Sequence, residues 1–177
     1  EIADDNATEY RDGEGNPLYV NDVNITVTIM DYVSGIRRIG YAQSSENASW
    51  DRKEIVLENA GYRVNDDLGD GWIVSQTDAN LVTKITKQFS FSSDDNHIML
   101  AFDAADSSGN TMEGVTAGPF TIDMTAPVIH IAFREDDDTD IYYNENRVAD
   151  ITVTERNFDP SRIHVIMENL FGDLPVV

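Results

Sequence analysis

The residues best suited to chemistry are oxygen donors. Asp103, Asp106, Asn110 and Asp123 crowd one stretch, and Asp136 and Asp138 stand in the acidic run Glu135-Asp-Asp-Asp138. Hard cations are held by several carboxylate, carboxamide and carbonyl oxygens, so calcium is the best candidate, against the alternative of no cofactor at all. No EF-hand spacing occurs, and acidic loops are most often only solvated. A second group is aromatic: Trp50, Tyr62 and Trp72 lie near Asp66, Asp67 and Asp70. Exposed rings beside acids can stack on sugars and bond their hydroxyls, whereas packing in a core is the commoner use of Trp and Tyr. His97, His130 and His164 are isolated within apolar runs, and no nucleophile elbow, zinc-binding helix or phosphate-cradling glycine loop is present. No catalytic residue is expected, and the chain reads as a non-enzyme.

The bulk charge narrows the partners. Among 177 residues, 33 acidic side chains face 12 basic ones, a net charge of -21. Such a field repels nucleic acid and anionic membranes. No apolar run approaches the ~20 residues of a membrane span, so no membrane insertion is expected. Cysteine is absent, which removes disulfides and thiolate chemistry. A cysteine-free, acidic chain rich in Thr, Asn and Asp fits a bacterial exported protein, and any secretion signal is expected upstream of residue 1.

The elements that must position these groups read as strands. Val23, Ile25, Val27 and Ile29 alternate with polar residues at period two. Leu81, Ile85, Phe89 and Phe91 share one face of a longer run, with Lys87 unexpectedly among them, and Ile98, Leu100, Phe102 and Ala104 repeat the pattern. Turn-formers separate the runs, as at Ser107-Ser-Gly-Asn110. Residues 51–59 read either as a short helix or as a strand over 54–58. Many short strands with regular turns predict an all-β sandwich.

Internal repetition divides the chain. Leu18-Tyr-Val-Asn21 matches Ile141-Tyr-Tyr-Asn144, and Ile25-Thr-Val-Thr28 recurs unchanged as Ile151-Thr-Val-Thr154. That spacing suits a tandem array of whole domains. We read 1–16 as an early strand or remnant of the first domain, 17–126 as a sandwich, and 127–177 as the opening strands of a second, incomplete copy. The counterpart of the strand at 128–133 is expected before residue 1. Asp123, Thr125, Ala126 and Pro127 form the linker, where Pro127 fixes its own φ and holds Ala126 extended.

Two motifs carry a family resemblance. Phe120-Thr-Ile-Asp-Met-Thr-Ala-Pro-Val-Ile129 resembles the F-x-I-D-x-T-A-P-x-I junction between consecutive bacterial immunoglobulin-like domains. Ala101-Phe-Asp-Ala-Ala-Asp-Ser-Ser-Gly-Asn110 resembles the A-x-D-x-A-G-N end of their penultimate strand, although Asp106-Ser-Ser-Gly departs from the usual Asp-x-Ala-Gly. Ile151-Thr-Val-Thr-Glu-Arg-Asn-Phe-Asp-Pro160 is similar to a stretch of such repeats in surface proteins of Gram-positive gut bacteria. The segment from Trp50 to Asn80 is longer than in compact members. The resemblance implies an immunoglobulin-like β-sandwich in tandem, acting as a non-catalytic spacer or adhesion module of an extracellular, cell-surface or secreted protein. Its partners would be neighbouring domains and a host or cell-wall glycan or protein. The alternative is a glycan-binding accessory module of a secreted carbohydrate-active enzyme. Some members crosslink a buried lysine to an asparagine, which makes Lys87 of interest, though a lysine whose stem packs while its head reaches water is the plainer reading.

Overall fold

The computed structural model describes residues 2–4, 8–57, 61–134, 148–166, 168–169 and 172–173. The chain is nearly all β and divides into two compact units, Glu1–Met124 and Thr125–Val177. Among the described residues no helix is long and apolar enough to cross a membrane.

Among the described residues the first unit holds nine strands: β1 (Ile2–Asp4), β2 (Leu18–Tyr19), β3 (Val23–Met30), β4 (Ile36–Ser45), β5 (Ala48–Val56), β6 (Ile73–Asp78), β7 (Leu81–Phe91), β8 (Asp95–Asp106) and β9 (Thr111–Ile122). They form a four-stranded sheet in the order β1-β3-β7-β6 and a five-stranded sheet in the order β2-β9-β8-β4-β5. All pairings are antiparallel except β2 with β9. Residues 51–56 are therefore strand, and that strand begins earlier than expected, at Ala48.

Alternation buries one face of each sheet against the other in a sandwich-like core. Val23, Ile25, Val27 and Ile29 of β3 point in, as do Ile98, Leu100, Phe102 and Ala104 of β8. In β4 the inward residues Ile36 and Ile39 are three apart, which period two forbids. A register shift between Ile36 and Arg38 against β8 absorbs the extra residue and restores the face. Ile85 and Phe89 of β7 are buried as expected, but Leu81 is 37% exposed because it opens the strand beside the tight turn at Ala79-Asn80. Trp72 fills the centre, edge-on to Tyr41, Phe89 and Phe102 at centroid separations of 5.7, 6.5 and 6.4 Å. Such edge-to-face contacts add to the burial of large rings.

The second unit pairs β10 (Val128–Phe133) with β11 (Ala149–Thr154), then carries a 3-10 turn at Pro160–Arg162 and a short pair, β12 (Glu168–Asn169) with β13 (Gly172–Asp173). Arg134 grips Asp150 through two hydrogen bonds, each 2.8 Å long. The β10–β11 pairing sets Ile129 opposite Val153 and Ile131 opposite Ile151. In the first unit β1 meets β3 in the same way, with Ile2 opposite Val27 and Asp4 opposite Ile25. A strand is thus present at Ile2–Asp4 in the place that 128–133 takes against β11, a position expected before residue 1. Its brevity hid it, because three residues carry too little alternation to read. The repeat partner at 141–144 lies outside the described residues.

Candidate functional site

The four cation candidates among the described residues, Asp103, Asp106, Asn110 and Asp123, do not converge on one point. Asp103 projects from the outer face of β8, away from the core residues Phe102 and Ala104. Its carboxylate accepts from Arg38 at 2.6 Å and from Arg52, which reaches it from β5 across β4. Gly40, opposite Asp103 in β4, makes that reach possible, because a Cβ there would collide with the Arg52 guanidinium and the Asp103 carboxylate. Arg52 and Arg38 hold the Asp103 carboxyl below its ordinary range despite partial burial. Two guanidiniums on one carboxylate oppose a metal there.

Asp106 and Asn110 are likewise occupied. Asp106 Oδ1 accepts the backbone N–H of Ser108 and of Asn110, and Oδ2 accepts Asn110 Nδ2 and the Ser34 hydroxyl, at 2.7–2.9 Å. These donors, led by the Asn110 side chain, hold its pKa at about 2. The same loop occurs at Asp12-Gly-Glu-Gly-Asn16. There Asp12 accepts the N–H of Glu14 and Asn16, the Asn16 carboxamide, and a hydroxyl from Thr121. Both loops place a glycine fourth at positive φ, +88° at Gly15 and +90° at Gly109, which a side chain resists. Asp-x-x-Gly-Asn is therefore a hairpin-closing device. Its recurrence in the sequence was the signal that could have assigned Asp106 and Asn110 to it.

Asp123 follows β9 at the opposite end of the β8–β9 pair, because Ile122 lies opposite Asp95 and Thr111 opposite Ala105. Asp106 and Asp123 are thus a strand length apart. Asp136 and Asp138 lie outside the described residues. Among the described residues no group of three or more His, Cys, Asp or Glu side chains is arranged to hold a metal. The linker residues Asp123, Thr125, Ala126 and Pro127 fall between β9 and β10 and belong to neither strand.

The three aromatics also separate. Trp72 is 0% exposed, so its ring offers no face to a sugar, and Tyr62 packs against the same core. Only Trp50, 51% exposed on the edge strand β5, is open to solvent. Asp70 binds this region to the sandwich: it accepts the Tyr41 hydroxyl at 2.7 Å, pairs with Lys53 at 3.4 Å, and its backbone carbonyl takes Lys87 Nζ. Burial, then the Asp70 acceptor, pushes the Tyr41 hydroxyl pKa upward. Lys87 lies 4.6 Å from the centroids of both Tyr41 and Phe89, and burial lowers its pKa. Its polar contact is a carbonyl, not an asparagine. His97 bonds Glu14 at 2.9 Å on the surface.

The fold defines the class: a nearly all-β protein whose first unit is a two-sheet, sandwich-like body, in which Asp103, Asp106 and Asn110 are engaged by its own strand pairs and loops. Compared with known proteins, the chain matches no protein-family model and no curated protein.

Proposed function

We propose that this chain is a non-catalytic spacer or adhesion module from a tandem array of immunoglobulin-like domains in a bacterial cell-surface or secreted protein. The observation that carries the reading is strand order. The sheet β1-β3-β7-β6 and the β9-β8-β4-β5 part of the five-stranded sheet have the same order as A-B-E-D and G-F-C-C′ of immunoglobulin sandwiches, with β2 added beside β9. The shared register of β1–β3 and β10–β11, built on the repeated Ile-Thr-Val-Thr, supports a second copy of the same unit. Pro127 between the units favours a stiff crossing, which lets an array project. The net charge of -21 favours solubility and argues against nucleic acid as a partner.

A glycan-binding accessory role keeps one supporting observation, the half-exposed Trp50 on an edge strand. A glycan array separates the two readings. The spacer reading expects no sugar-specific signal. A signal lost in Trp50→Ala, with the fold retained, would replace it with the glycan reading.

A further inference from the structure

The end of the sandwich where the β3–β4 loop meets the β8–β9 hairpin contains a cavity of ≈ 290 Å³. Its floor is apolar and buried, formed by Ile29, Ile36 and Ala104. Met30 and Met112 also line it and are 42% and 37% exposed. That volume sits at the low end for small-molecule sites, enough for one extended side chain. Methionine adapts to different occupants better than a branched residue does. Beside it the loop holds Tyr32 and Val33 in solvent, at 59% and 90% exposure.

The polar lining is anionic, with two carboxylates and no basic side chain. Asp31 and Asp106 both line the cavity, and the Ser34 hydroxyl lies between them, 3.0 Å from Asp31 Oδ2 and 2.7 Å from Asp106 Oδ2. Asp106 Oδ2 also accepts Asn110 Nδ2, so the Ser34 proton is free to serve Asp31 Oδ2, but these neutral donors leave both negative charges in place. The loop amides of Val33 and Ser34 are directed at Asp31 Oδ1, not Oδ2. Those amides, Val33 first, keep the Asp31 carboxyl below its usual range. An apolar slot ending in two carboxylates, with no Lys, Arg or His side chain in its lining, is complementary to a cation on an aliphatic stem. Lysine has that form: four methylenes and a compact ammonium with three donors.

We infer that this cavity receives a lysine side chain from a partner polypeptide, its stem against Ile29, Ile36 and Ala104 and its ammonium donating to Asp31, with apolar residues flanking that lysine resting on Tyr32 and Val33. The cavity lies wholly within the first unit, so the inference goes beyond the array reading and stands whether or not the chain belongs to one.

The test is a titration of the full chain, ¹³C-labelled at its methionine methyls, with the peptide acetyl-Val-Lys-Val-amide and with its norleucine counterpart, which keeps the stem and removes the charge. The lysine peptide should shift the Met30 and Met112 methyl signals saturably while Met99, Met124 and Met167 stay still. The norleucine peptide should bind more weakly by up to about fivefold, the scale of one partly exposed charge contact. Asp31→Asn, which keeps an acceptor for the loop amides, should weaken the lysine peptide by about the same factor. Equal binding of the two peptides to the unsubstituted protein, or no saturable shift at Met30 and Met112, overturns the inference without recourse to any variant. So does free butylammonium binding as tightly as the peptide, since the occupant would then not be a polypeptide.

Discussion

Asp106 concentrates the residue-scale chemistry of this protein. Four donors hold its carboxylate, and its pKa falls to about 2. Asp12, Asp31 and Asp103 are lowered as well. A carboxylate whose folded pKa is depressed contributes stability above its unfolded value of about 3.9, and that contribution is lost as pH falls through the folded value. The urea midpoint should therefore fall between pH ~4 and ~2. Asp106→Asn, which cannot titrate, should make that fall shallower. A midpoint equally steep in the variant would remove Asp106 from the account. Two glycines make a paired test. At Gly118, where φ is +100°, an added Cβ would strike the Ile98 carbonyl and approach Met99 Cα to 3.2 Å, and neither backbone atom can move aside. Gly118→Ala should cost at least about 2 kcal/mol by chemical denaturation. At Gly40 the obstacles are side-chain ends, of Arg52 and Asp103, so Gly40→Ala should cost less, and its penalty should shrink in an Arg52→Ala background. Additive effects of Gly40→Ala and Arg52→Ala would mean that the glycine is not there to let Arg52 pass.

At the scale of elements, the β6–β7 hairpin closes through Ala79-Asn80, both at positive φ, +45° and +67°, with Asp78 opposite Leu81. Two-residue hairpin turns with both φ positive favour Asn-Gly, and alanine tolerates that conformation poorly. The pair Ala79→Asn with Asn80→Gly should stabilise the protein by about 1 kcal/mol, read as a higher urea midpoint at unchanged slope. A lower midpoint would show that the turn needs the Ala79 side chain. The segment between β5 and β6 supplies the sandwich with its central ring, Trp72, and Asp70 fastens it through Tyr41, Lys53 and Lys87. What reads in sequence as a loop available for binding is in large part a plug for the core. Trp50 lies on the preceding strand and remains outside.

For the whole molecule, charge is the dominant global quantity. With 33 acidic and 12 basic residues, self-repulsion opposes compaction at low ionic strength. Sodium chloride at about 0.15 M, where the screening length is about 8 Å, should raise the melting temperature above that in dilute buffer. Because the candidate calcium ligands of the first unit are divided among an arginine pair, a hairpin loop and the far end of β9, EDTA at matched ionic strength should leave that temperature unchanged. A drop with EDTA that calcium restores would reopen the metal reading.

The sequence alone determined the longer alternating strands and their inward faces, because period-two alternation in runs such as 23–29 and 98–104 is a local property that any half-buried sheet imposes. It also determined the repeat, since Ile-Thr-Val-Thr is legible without knowing what it packs against. Tertiary structure decided the roles of the polar and aromatic residues. Asp103 and Gly40 share a function only because β4 and β8 pair in one register with β5 alongside. Asp106 and Asp123, seventeen positions apart, lie at opposite ends because the chain reverses between them. Trp50 and Trp72 look alike in sequence, yet only the packing of one sheet on the other determines which ring is buried and which meets water.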